Sequence, residues 1–223
     1  MSFRVTKNPP QRVFTRSNYR EAWPYLMTDF QGRCAYSMQH ITRASGRRNM
    51  QIDHFNPHLK KLHIQEYSNL FLSTSHCNGS KSDRWPTNKD WREQGWKFLD
   101  CTKEPDYGEH IFEDPDTHEV VGVTSAGRYH VTGCDLNAPQ FVEERQDRAR
   151  CWAMIRSKAL TERDPIPPEL QLVKEIAEKM IPEIPYLSGE ALELRRAKRR
   201  ERDTQFFKSS NTSVWTNTGP SPA

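Results

Sequence analysis

The sequence has no run near the ~18–20 consecutive apolar residues that cross a bilayer, and apolar residues make up only 35% of its 223 positions. Its ten glycines raise that share to about 39%, below the ~45–50% common in soluble domains. Mean hydropathy is −0.91. No charged-then-apolar leader opens the chain, so the reading is a soluble, cytoplasmic protein with no membrane association. Internal repeats are absent, and nothing before residue 203 is of low complexity, which excludes a solenoid or fibrous chain. There is no Walker-type phosphate loop, so any ATP dependence would have to come from a partner. Zinc-finger arrays, helix-turn-helix patterns and RNA-binding signatures are also missing, which argues against a site-specific enzyme. The five cysteines (Cys34, Cys77, Cys101, Cys134 and Cys151) are odd in number and widely spaced, as in a chain kept reduced rather than stapled by disulfides. A chain of this length buries roughly 70% of its unfolded surface and needs no such staples.

What is present is unevenly placed. Thirty-three Lys and Arg against 29 Asp and Glu give a net charge of +4, yet residues 195–202 (RRAKRRER) alone carry +5. A second positive zone lies within 43–84, where Arg43, Arg47, Arg48, Lys60, Lys61, Lys81 and Arg84 outnumber Asp53, Glu66 and Asp83. Two basic zones on a near-neutral body favour a polyanionic partner.

Residues 1–16 read as extended because of Pro9 and Pro10. Ser17 is a candidate cap for a helix carrying Trp23, Leu26, Met27 and Phe30 at helical spacing, with Pro24 in its first turn and Gly32 as its stop. Residues 33–58 read as two short strands about a Ser45–Gly46 turn, and 66–84 as an apolar cluster followed by a polar turn. Strand-like and turn-like fragments fill 85–135. Helices are expected over 139–161 and 169–181, separated by Pro165, Pro167 and Pro168. The tail after Asp203 is too polar to fold alone, although Phe206, Phe207 and Trp215 are available to dock on a partner.

The informative block is 34–83. Asp53-His54-Phe55-Asn56-Pro57 fits D-H-x-x-P. Asn69-Leu70 follows 15 residues past His54, and Cys77-Asn78-Gly79-Ser80-Lys81 fits C-N-x-x-K. With Cys34-Ala35-Tyr36 upstream, residues 18–84 resemble the HNH nuclease family, which is built on a ββα-metal hairpin and helix. Phosphodiester hydrolysis needs a base for water and a cation to neutralise charge on the phosphate. A histidine titrates near pH 6.5, which suits the base. Oxygen ligands suit Mg²⁺ or Mn²⁺. The resemblance implies that His54 activates water, Asp53 and Asn78 hold one divalent cation, and Asn69 steadies the loop and orients His54. Lys81, expected at a helix start, would contact phosphate together with the helix N-terminus. Neighbouring strand residues face opposite sides, so Asp53 and His54 serve one site only with a bend or bulge. His58, His63 and His76 read as solvated or packing residues.

Many members of that family hold a structural zinc between two C-x-x-C knuckles. Here these read Cys34-Ala35-Tyr36-Ser37 and Thr74-Ser75-His76-Cys77, and two thiolates cannot close a tetrahedral zinc site. Either His40 or His76 completes a changed site, or Cys34 and Cys77 are packed thiols in a metal-free hairpin, a remnant of the zinc site. Residues 100–150, with Pro105-Asp106, Leu136-Asn137, Arg145 and Arg148, are similar to the HNH subunit of Septu-type and retron-linked anti-phage systems (PtuB). That likeness implies an ABC-type ATPase partner.

The expected fold is α+β: an HNH domain over 1–135 with an N-terminal helix and a β insert, a helical region over 136–203, and a disordered tail over 204–223. The expected function is a metal-dependent endonuclease acting on DNA as an effector of bacterial defence. The alternatives are a stand-alone restriction-type HNH nuclease and a catalytically idle HNH module that binds nucleic acid or a partner.

Overall fold

A computed structural model of the chain describes residues 4–103, 109–158 and 165–211, with side chains as far as Arg202. The chain divides into two compact units, Met1–Tyr186 and Leu187–Ala223. The boundary expected at 135/136 falls inside the first. Pro105 and Asp106 lie outside the described residues, as do 159–161 of the expected long helix and Trp215 with the rest of the tail beyond 211.

The first helix, α1 (Trp23–Asp29), follows a 3-10 turn at Tyr19–Ala22. Pro24 sits in its first turn, where a missing N–H costs nothing. Ala22, Leu26 and Phe30 are fully buried. The residue preceding α1 is Ala22 rather than Ser17; the Ser17 hydroxyl instead bonds that of Thr15 at 2.9 Å. The chain leaves the helix through Gly32 at φ +69°, where a Cβ would stand 3.1 Å from the His40 ring.

Only one strand forms within 33–58. It is β1 (Met50–His54), and its antiparallel partner is β2 (Leu70–Thr74), in the register Met50↔Thr74 through His54↔Leu70. Residues 33–49 are turns and a 3-10 segment instead. The LFLST run is buried at every position, because α1 and the rings of Phe30, Tyr36 and Phe55 pack around Phe71. Helix α2 (Ser75–Lys81) follows β2 directly, and the Thr74 side chain accepts from Cys77 N at its first turn.

Beyond α3 (Lys89–Glu93) comes a second ribbon, β3 (Ile111–Glu113) with β4 (Val120–Gly122), again antiparallel. Helix α4 (Ser125–Gly133) packs on it so closely that a Cβ at Gly122 would lie 2.2 Å from the Arg128 nitrogen. Then follow α5 (Pro139–Lys158) and α6 (Gln171–Lys179). Arg148 clamps Glu113 at 2.6 and 2.7 Å with both partners buried, tying the ribbon to α5. Mixed helices and small antiparallel sheets make this an α+β fold. No helix among the described residues is long and apolar enough to cross a membrane. In the second unit, α7 (Gly189–Asn211) carries the whole basic run and continues past residue 203 into the expected tail.

Candidate active site

The β1 register continues unbroken through Asp53↔Phe71 and His54↔Leu70, so the two residues leave the strand on opposite sides. The bulge that would have turned them to one face is absent. Asp53 points inward and is only 6% exposed. Its Oδ2 accepts from the Tyr36 hydroxyl and from Lys81 Nζ at 3.0 Å. Burial raises the Asp53 carboxyl above its usual value, against the opposing pull of Lys81 and of the Tyr36 hydrogen bond.

Lys81 is neither at a helix start nor facing phosphate, contrary to the expectation from C-N-x-x-K. It is the last residue of α2, where the dipole is negative and anions are not favoured. Its side chain is fully buried, with Nζ 5.9 and 5.6 Å from the Tyr36 and Phe98 ring centres. Besides Asp53, the ammonium donates to the His54 carbonyl at 3.1 Å. Lys81 is thus the internal counter-ion of Asp53 and a clamp between α2 and the end of β1.

His54 is half-buried at the end of β1. Its Nε2 lies 2.6 Å from Gln65 Oε1, and its ring lies 5.1 Å from that of Tyr19. Gln65 is buried, and its amide nitrogen is committed to the carbonyls of Leu62 and Lys60. Only its oxygen is therefore left for the imidazole. The proton of neutral His54 then sits on Nε2 and the lone pair on Nδ1. Burial lowers the His54 pKa, with Gln65 pulling the other way, so the ring is neutral at pH 7. Gln65 itself is fixed from the N-terminal side: its backbone N–H bonds Phe14 O at 2.8 Å beside a Thr15–Ile64 bridge. No sequence motif marks Gln65.

Asn69 is bonded to the Asn56 backbone rather than to the His54 ring. Its Oδ1 accepts from Asn56 N at 2.8 Å and its Nδ2 donates to Asn56 O at 3.1 Å. This reciprocal pair fixes the chain two residues past His54. Asn78, on α2, donates through Nδ2 to Gln51 Oε1 at 2.6 Å. No hydrogen bond joins Asn78 to Asp53 among the described residues.

Each side chain expected to hold a cation is thus tethered by one atom. Asp53 is held through Oδ2 and Asn78 through Nδ2, which leaves one oxygen on each without a hydrogen bond among the described residues. That donor set, one carboxylate and one carboxamide oxygen, fits a hard divalent cation in kind. The Tyr36 and Lys81 bonds are of the sort that orient a ligating carboxylate. No cluster of three or more His, Cys, Asp or Glu side chains is arranged around a metal position among the described residues.

The remnant knuckle positions do converge. Cys34 Sγ lies 3.7 Å from Thr74 Oγ1 and accepts from the Tyr36 and Ser37 amides at 3.4 and 3.5 Å. Both Cys34 and Cys77 are fully buried. Burial opposes ionisation of Cys34, but hydrogen bonds from Cys77 and Ser37 outweigh it and hold the thiol at about 5. His40 and His76 are engaged elsewhere: His40 Nδ1 lies 2.8 Å from Thr42 Oγ1, and His76 Nε2 lies 2.9 Å from Asp135.

Residues 34–87 match the model of a family described as HNH endonuclease. That segment opens at Cys34 and contains Tyr36, β1, β2, α2 and every residue expected to carry the chemistry. The match points to nuclease chemistry and to a nucleic-acid substrate. No curated protein and no solved structure matches the chain. Within the HNH-like segment, the Asp53–His54, Asn69 and Asn78–Lys81 motifs fall at the end of β1, at the entry to β2 and on α2.

Proposed function

We propose that this chain is an HNH-type endonuclease that hydrolyses DNA phosphodiester bonds, with His54 as the base. The observation that carries this reading is the His54 imidazole, held through Nε2 by the buried Gln65, within the segment that matches the HNH model. His54 Nδ1 takes the proton of the attacking water. Gln65 keeps the ring in the tautomer that can do so. The Asn69–Asn56 pair and the Lys81 bond to the His54 carbonyl hold the strand end from which the ring projects. Asp53 and Asn78 would hold the divalent cation, Mg²⁺ or Mn²⁺, through their untethered oxygens, completing a ββα-metal unit. Because Asp53 and His54 leave β1 on opposite sides, the ion and the base would meet one phosphate only with a bend at the end of that strand. Bound there, the ion supplies charge neutralisation on the phosphate and leaving oxygen. Lys81 opposes the effect of burial on the Asp53 carboxyl.

A defence role beside an ABC-type ATPase is the narrower part of this proposal. It rests on the likeness of residues 100–150 alone. The residues of that likeness that lie within the described chain serve the fold. Asn137 exchanges two bonds with the Val120 backbone at 2.7 and 2.9 Å, and Arg145 donates to Leu136 O at 3.0 Å. The experiment that tests the reading is incubation of the purified chain with supercoiled plasmid in Mg²⁺ or Mn²⁺. Nicking or linearisation that EDTA stops is the expected result. A wild-type chain that binds DNA and cuts in neither metal would favour the idle module.

A further inference from the structure

An open groove of about 480 Å³ runs beside the hairpin, lined by Tyr19, Arg20, Trp23, Arg47, Gln51 and Asn78 among others. Three consecutive residues of β1, Met50 to Ile52, reach it. Successive strand residues face opposite sides, so the groove follows the free edge of β1, which among the described residues has β2 as its sole strand neighbour. Its lining includes Tyr19, whose ring is 5.1 Å from that of His54. The groove therefore leads to the base.

Its charge is of one sign. Among the described residues no Asp or Glu lines it. Arg20 and Arg47 are exposed, and among the described residues neither has a carboxylate partner. Some exposed arginines are paired, as Arg12 is with Glu21 and Arg150 with Asp147. Instead the Arg47 guanidinium lies 5.0 Å from the Trp23 ring centre and that of Arg20 lies 5.6 Å from Tyr19. A guanidinium stacked on an aromatic face is held in place while its N–H edge stays available for a planar or tetrahedral oxyanion. The two cations stand on separate elements, the turn before α1 and the turn before β1. They can meet two separate phosphates of one strand.

We propose that this groove seats one nucleic-acid strand leading to His54, with Arg20 and Arg47 on its backbone phosphates. The inference rests on the nuclease reading but is tested by binding rather than by cleavage. The probe is a labelled DNA duplex, with affinity measured by anisotropy against salt for the full chain carrying His54→Ala. Adding Arg20→Ala and Arg47→Ala should weaken binding. The plot of log affinity against log salt should flatten by about 0.9 for each phosphate no longer neutralised, about 1.8 in all. Lysine at both positions, which keeps the charge, should restore the slope. A control that removes equal charge from α5, Arg150→Ala with Arg156→Ala, should leave the slope unchanged. An unchanged slope in the groove variant, or an equal loss in the α5 control, overturns the proposal. Failure of wild-type cleavage with the groove effect intact would instead overturn the nuclease reading and leave the groove as a binding site.

Discussion

Replacing Lys81 by Met separates two roles that the same residue type could fill. A surface phosphate ligand would lose DNA affinity and leave stability untouched. The observed Lys81 is fully buried, 3.0 Å from a carboxylate that is itself only 7% exposed. Methionine matches its length and fills the space between the Tyr36 and Phe98 rings, so the main loss is the charge. Removing one partner of a buried ion pair strands the other, at a cost of about 3–5 kcal/mol. For a chain of this size that corresponds to a fall in Tm of about 6–20 °C. Because the cost comes from the stranded carboxylate, Asp53→Asn added to Lys81→Met should recover part of it, and a double-mutant cycle should give a coupling of about 1–3 kcal/mol. Urea unfolding of the four proteins at pH 7 measures this. A Lys81→Met chain within about 1 kcal/mol of wild type, or a double variant no better than the single, would refute the buried-pair account.

Two further outcomes follow from the hydrogen-bond geometry. Gln65→Ala should lower kcat by about 10–100-fold, as for other groups that orient a working histidine, while the Kd for DNA stays within a few-fold; an unchanged kcat removes Gln65 from the mechanism. His130, fully buried, accepts from Leu99 N at 3.0 Å and must be neutral to do so, and burial brings its pKa down to about 3. The unfolded chain takes up this proton near pH 6.5 and the native one does not. Stability should therefore fall as pH drops from about 6.5 toward 3, by up to about 1.4 kcal/mol per pH unit from this residue. His130→Asn should flatten that decline in urea midpoints between pH 7 and pH 5, and a parallel decline in both proteins would contradict it.

The motifs of the site are legible in the sequence because each is local. D-H-x-x-P, N-L and C-N-x-x-K sit within a few residues of a strand end or a helix, and their order alone is enough to place them. What the sequence does not reveal is what faces what. Whether Lys81 meets phosphate or Asp53 depends on α2 beginning at Ser75 rather than near Cys77, and a Thr cap at the end of a buried strand is a weak signal. Gln65 acts on His54 only because the 55–69 connection folds back and the N-terminal segment pins it, a pairing across 11 residues with no periodic signature. The partner of β1 is hidden for the same reason: a hairpin with a long loop looks, residue by residue, like two nearby strands. Helix α4 is masked by Gly127 and Gly133, which depress helix propensity but are required where Gly127 approaches the His110 carbonyl and Gly133 the Phe98 ring.

The central claim, that His54 is the base of a phosphodiester hydrolase, is tested most directly by the plasmid-cleavage rate of His54→Ala beside wild type. Both are compared in the same divalent metal, with matching circular dichroism and matching DNA affinity. Loss of a positioned base costs about 10²–10⁴ in rate. A fall of at least about a hundredfold with fold and binding retained is the predicted result. A His54→Ala chain that cuts within a few-fold of wild type would contradict the assignment.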